Sequence, residues 1–151
     1  MTIYFYKVKE PYGCFSNFSP HSIYLNGQDW LTVEHYYQAQ KFFKSVDEKL
    51  ICLIQACATP EEAAKLGRDP SRQLRPDWEE VKTEIMREAV LVKFLTHIDI
   101  QAILLSTGDR LIVEDSPNDY YWGCGCDRTG QNHLGKILMS VRLEISQHLF
   151  A

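Results

Sequence analysis

No run of apolar residues in this chain approaches the length needed to cross a bilayer as a helix, which excludes a helical membrane span. The opening Met1-Thr-Ile-Tyr-Phe-Tyr-Lys7 lacks both the basic start and the following apolar segment of a secretion signal, so a cytoplasmic location is expected. Basic charge is scarce as well. Sixteen Lys and Arg are outnumbered by 20 Asp and Glu, the net charge is -4 and the cations are dispersed. That removes the counterion-release footprint of a duplex-DNA binder and favours a small or locally exposed ligand. Six prolines and eight glycines are too few for a low-complexity chain, and no segment joins low hydrophobicity to high charge, which excludes disorder. Five cysteines, an odd number without an export signal, are expected as reduced thiols and not as a disulfide framework.

With 151 residues, 45% of them apolar, the chain supports one packed core, and a single domain over residues 1–151 is expected. No repeat or linker interrupts it. The pattern predicts an α+β fold, mainly helical with a few short strands. Residues 2–8 have strand composition, and Tyr12 to Pro20 form a structured, aromatic-rich loop. Asn26-Gly27 between Ser22–Leu25 and Gln28–Leu31 predicts a type I′ hairpin. Thr32 caps a helix over 33–44, with Tyr36, Ala39 and Phe43 at helical spacing and Glu34, Gln38 and Lys41 on another side. Further helices are predicted over 46–58, from Thr59-Pro60 to a stop at Gly67, over 78–97, over 100–105 and over 132–149, with a strand at 111–114. In the helix from Trp78, the residues Val81, Ile85, Ala89, Val92 and Leu95 mark an inward stripe.

The stretch NDYYWGCGCDRTGQNHLGKI, residues 118–137, is the most unusual in the chain. Gly130 to Lys136 nearly spells a phosphate loop, but Ile137 stands where a Ser or Thr must reach Mg²⁺. An anion held by backbone N–H groups at the start of the last helix is a weaker version of that reading, and glycines serving turns and close packing are the alternative. Zinc is disfavoured by spacing: Cys124 and Cys126 are one residue apart, and Cys52 and Cys57 would lie on different faces of a helix. Small-hydrophobe packing accounts better for Cys52 and Cys57. Among the carboxylates, Glu34 near a helix start fits either a site or a solvated, dipole-stabilising position, and Asp119 after Pro117-Asn118 fits either a site or a turn. Trp78 and Trp122 suit a core as well as a ligand platform.

Taken together, Tyr12-Gly-x-Phe-Ser-Asn-Phe18, Trp30-x-Thr-x-Glu-His-Tyr-x-Gln-Ala-Gln-Lys-Phe42, Ala64-x-x-Gly-Arg68, Leu74-Arg-x-x-Trp78, Asp119-x-Tyr-Trp-Gly-x-Gly125 and Gly130-x-Asn-x-Leu-Gly135 resemble the NADAR, or YbiA-like, family over nearly the whole chain. The resemblance implies a mainly helical α+β N-glycosidase that needs no metal or other cofactor. Its implied substrates are early phosphoribosylated intermediates of riboflavin biosynthesis; the alternatives are ADP-ribose on guanine in nucleic acid and non-catalytic binding of ADP-ribose or a nucleotide. Carried onto this sequence, it implies Glu34 and Asp119 as catalytic residues. The substrate-binding set is Trp78, Trp122, Asn17, Phe18, Gln38, Lys41, Gly67, Arg68, Gly123 and Asn132. Arg68, Arg72 and Arg75 are candidates for a 5′-phosphate. Cys124, Cys126 and Asp127 stand where the family often has other small or acidic residues.

Overall fold

The computed structural model describes residues 1–150, an α+β chain whose described residues form six α-helices and four three-residue strands. It divides into two compact units, Pro20–Lys93 and Met1–Ser19 with the segment from Phe94 onward. Among the described residues, no single helix is long and apolar enough to cross a membrane.

The central unit begins with a hairpin. Strand β2 (Ile23–Leu25) pairs antiparallel with β3 (Gln28–Trp30), Ile23 opposite Trp30, and Asn26 and Gly27 hold the positive φ values of 54° and 78° that the predicted type I′ turn requires. Helix α1 (Val33–Gln40) follows at once, capped by Thr32, whose Oγ1 accepts the His35 N–H at 3.1 Å. All eight of its residues are buried, polar ones included. His35 makes that burial tolerable: one ring nitrogen pairs with Thr32 Oγ1 at 2.8 Å and the other with the Cys57 carbonyl at 2.9 Å.

Helix α1 packs against α2 (Leu50–Gln55) and α3 (Pro60–Gly67). The start of α3 is as expected, with Thr59 Oγ1 accepting the Glu62 N–H at 3.2 Å and Pro60 in the first turn. Two predicted boundaries are too generous. The first helix ends at Gln40, not Lys44, in a run of tight turns where Lys44 takes φ 59°. The second begins at Leu50, not 46, because Ser45 Oγ and the Glu48 carboxylate accept the N–H groups of Asp47 and Lys44, offering the backbone local partners other than a helix. The turn buries Phe42 completely and leaves Phe43, which the spacing grouped with Tyr36 and Ala39, 41% exposed.

Helix α4 (Trp78–Thr96) buries Met86, Ala89, Val90, Lys93 and Phe94. The predicted stripe was set about one residue off: only Ala89 of it is fully buried, and Leu95 is exposed. Cys57 is buried, as expected, but Cys52 is exposed and does not pack as a small hydrophobe.

In the other unit β1 (Ile3–Phe5) pairs in parallel with β4 (Ile112–Glu114), Ile3 opposite Ile112, a pairing between opposite ends of the sequence. The first strand is shorter than the predicted 2–8 because the chain then turns back, Lys7 donating its N–H to Glu10 Oε1 at 3.0 Å. Helix α6 (His133–Phe150) packs on β4 and on α5 (Ile98–Ser106). Phe15 meets Phe5 and Phe94 edge-on, with ring centroids 5.8 and 6.0 Å away.

Candidate active site

On α1, Glu34 and Gln38 stand one turn apart on one face, and Lys41 follows just past the helix end. Glu34 is 4% exposed, which overturns the solvated, dipole-stabilising alternative. Gln38 Nε2 donates to Glu34 Oε2 at 2.7 Å. Arg68, just past the end of α3, brings Nη2 to 3.8 Å from the same oxygen while its side chain stays 64% exposed. Lys41 Nζ donates to the carbonyl of Gly67 at 3.3 Å and sits 5.6 Å from the centre of the Tyr37 ring. Burial pushes the Lys41 pKa down to about 8; Glu34 pulls it back up, and Arg68 and Lys82 push it further down. Trp78, buried at the start of α4, packs its ring 5.1 Å from Tyr37. A carboxylate, an amide, an ammonium, a guanidinium and two aromatic rings thus gather around α1.

Gly67 ends α3 but is absent from the glycines with positive φ, so backbone conformation does not demand it. Space does. A Cβ there would run into Gln38 Oε1 and lie 2.7 Å from Gln38 Cδ. Of the neighbouring arginines, Arg72 pairs with Asp47 at 3.5 Å and Asp69 at 3.7 Å. Arg75 forks onto Asp77 at 2.6 and 3.1 Å and holds the Asp77 carboxyl below the usual range.

In the other unit, Asp119 Oδ1 accepts the N–H groups of Tyr121 at 3.0 Å and Trp122 at 2.8 Å, so this carboxylate shapes the aromatic turn, and Oδ2 accepts no bond among the described residues. Trp122 meets Tyr121 edge-on at 4.8 Å, and Tyr121 lies 4.3 Å from the His133 ring. The N–H groups of Asn132, His133 and Leu134 donate to the carbonyls of Gly123, Tyr121 and Trp122. Those donors at the start of α6 therefore serve the chain itself, which contradicts the anion reading of the glycine-rich stretch.

The glycines of that stretch serve packing. A Cβ on Gly123 would lie 2.9 Å from Glu114 Oε2 and from Ser116 Cβ, one on Gly130 would lie 2.7 Å from the Cys124 carbonyl carbon, and one on Gly135 would run into the Ile112 carbonyl. The Asn132 amide bridges to β4, donating to the Ile112 carbonyl at 2.9 Å and accepting the Glu114 N–H at 3.0 Å. Asn17 is buried and Phe18 half-buried in the loop after the first strand, where Phe18 N–H donates to Ser16 Oγ at 3.1 Å. Cys124 Sγ turns to Asp115 and the Gly125 carbonyl, and Cys126 Sγ to the Tyr120 hydroxyl. Among the described residues no three His, Cys, Asp or Glu are grouped to hold a metal ion.

Sequence reasoning missed Tyr37, Tyr121 and His133. Tyr37 was within reach, being three residues after Glu34 and four before Lys41 on the same helix.

The family model of the NADAR domain matches residues 4–146. The chain is 68% identical over 145 residues to an N-glycosidase of Nostoc punctiforme, covering 96% of this chain and 93% of that one. It is 44% identical to the N-glycosidase YbiA of Escherichia coli, covering 95% and 88%. It also matches a quarter of a longer chloroplastic riboflavin biosynthesis protein of Zea mays, 42% identical over 95% of this chain and 25% of that one. The NMR structure of E. coli YbiA superposes with a TM-score of 0.90 at 42% identity, covering 100% of this chain and 89% of that one. The matched family model and these relatives make this chain a member of the NADAR domain family.

Proposed function

We propose that this chain is an N-glycosidase that hydrolyses the C1′–N bond between a 5′-phosphorylated ribose and a heterocyclic amine, with early riboflavin-synthesis intermediates as its substrates. The relatives from Nostoc punctiforme and E. coli carry the N-glycosidase name, and longer relatives from Zea mays and Vibrio vulnificus are named for riboflavin biosynthesis. The observation that carries the reading is the buried Glu34 carboxylate, supplied with a donor by Gln38 and lying beside the Arg68 guanidinium and the Lys41 ammonium.

In this hydrolysis the C1′–N bond breaks with its electron pair going to nitrogen, a water oxygen bonds to C1′, one of the water's protons passes to the departing nitrogen and the other stays on the new C1′ hydroxyl. Positive charge develops on the sugar as the bond opens. A carboxylate withdrawn from water acts on that charge more strongly than a solvated one, which suits Glu34 to stabilise the cation or take the water's proton. Trp78, buried against Tyr37, is proposed for the heterocycle and Arg68 for the phosphate. Asp119 is proposed for a ribose hydroxyl or the water, and Trp122 for the ring. Water and carboxylates suffice for this chemistry, so metal is not required.

Mass spectrometry of the purified protein incubated in a chelator with a ribosylaminopyrimidine 5′-phosphate is the test. Release of free heterocycle and ribose 5-phosphate supports the reading. Unchanged substrate would refute it, and release of guanine from ADP-ribosylated DNA instead would replace the substrate.

A further inference from the structure

We infer that Gln38 and Gly67 are a positioning pair for the Glu34 carboxylate, with Gly67 reserving the space in which the Gln38 amide can act, and that Gln38 does not bind substrate. The inference rests on the reading of Glu34 as the carboxylate of the reaction.

Gln38 is 1% exposed, so its amide offers almost no surface to a ligand. Its Nε2 donates to Glu34 Oε2 at 2.7 Å, and its Oε1 is buried without a hydrogen-bond partner among the described residues. These two facts have one cause. Turning the amide over would give Oε1 a contact with a carboxylate oxygen, acceptor against acceptor, so the nitrogen must face Glu34 and the oxygen must go to the other side. On that side stands Gly67. A Cβ at position 67 would run into this oxygen and come within 2.7 Å of Gln38 Cδ and 2.8 Å of Gln38 Cβ. Any larger residue there drives the glutamine out of line or pushes α3 away from α1.

An unsatisfied buried acceptor is unfavourable and uncommon in folded proteins. Here it accompanies a donor fixed on the one carboxylate that α1 buries. A glutamine kept merely for packing would be served as well by methionine, which has the same length and no orphan oxygen.

Three variants test the pair: Gln38→Met, Gly67→Ala and, as the reference, Glu34→Gln. Turnover of ribosylaminopyrimidine 5′-phosphate is measured alongside a ¹³C NMR titration of the Glu34 carboxyl, with Lys41 and Arg68 unchanged in every variant. Positioning predicts that Gln38→Met lowers kcat about 10- to 100-fold with KM within about 3-fold. It also predicts that the Glu34 carboxyl titrates at higher pH than in the wild type, because a donor to the charged form has been removed. Gly67→Ala moves both readouts the same way; should it fail to fold, Gln38→Met decides alone. A raised KM at unchanged kcat would make Gln38 a substrate contact, and an unmoved Glu34 titration would dismiss the pair. Wild-type turnover by Glu34→Gln would instead refute the assignment of Glu34, while the titration would still report whether Gln38 and Gly67 hold its carboxylate.

Discussion

Lys41 donates its ammonium to the carbonyl of Gly67 at 3.3 Å from a position buried enough to push its pKa from near 10.5 down to about 8. Between those two values the unfolded chain binds a proton that the folded chain has lost, so this lysine makes stability rise with pH across that window. At pH 7 the charged form is carried into the fold at a cost. Replacing it by methionine, similar in length and uncharged, is predicted to stabilise the protein at pH 7 by on the order of 1–3 kcal/mol, with the gap closing towards pH 10. Urea denaturation of both proteins at the two pH values measures this. A less stable K41M at pH 7 would mean that the Gly67 bond and the attraction of Glu34 outweigh desolvation.

Asp119 separates two roles by oxygen. Because Oδ1 receives the N–H groups of Tyr121 and Trp122, D119N retains an acceptor for both and is predicted to stay within about 1 kcal/mol of wild-type stability. Its turnover should nevertheless fall at least about 100-fold, since the charge is gone. D119A loses the turn bonds as well and should be less stable by a further 1 kcal/mol or so. Denaturation and turnover measured together decide the matter; full activity in D119N would leave Asp119 a turn residue only.

The three arginines after α3 are unequal. Arg72 and Arg75 face aspartates, whereas the exposed Arg68 has Glu34, at 3.8 Å, as its one ion-pair partner among the described residues. If Arg68 takes the phosphate, R68A raises KM about 10- to 100-fold, and R72A and R75A change it less than about 3-fold. Kinetics on the dephosphorylated nucleoside provide the control, where R68A should match the wild type in KM. Equal losses in all three variants would point to a general electrostatic field.

Local chemistry was readable from the sequence where it acts over a few residues. Asn26-Gly27 specified its turn, and Thr32 and Thr59-Pro60 specified two helix starts, because each depends on backbone groups next to it. The pairing of β1 with β4 was not readable, since nothing near Ile3 or Ile112 records the partner. The buried stripe of α4 was misjudged because aliphatic residues flank both sides of it, so periodicity alone left the phase open by one residue. For the candidate site, the spacing of Glu34, Gln38 and Lys41 placed them on one face, but not their burial: polar residues read as solvated until a partner such as Gln38 or the backbone is seen to satisfy them. Whether the glycines served an anion or close packing was left open by the sequence; their space is taken by the chain's own atoms, a distinction that only tertiary neighbours make.

The role of Glu34 is tested most directly by E34Q, an isosteric change that leaves Gln38 and Arg68 in place. Release of free heterocycle from ribosylaminopyrimidine 5′-phosphate, followed by mass spectrometry, should fall by at least about 1,000-fold while the thermal transition stays within a few degrees of the wild type. Heterocycle release by E34Q at the wild-type rate would contradict the assignment.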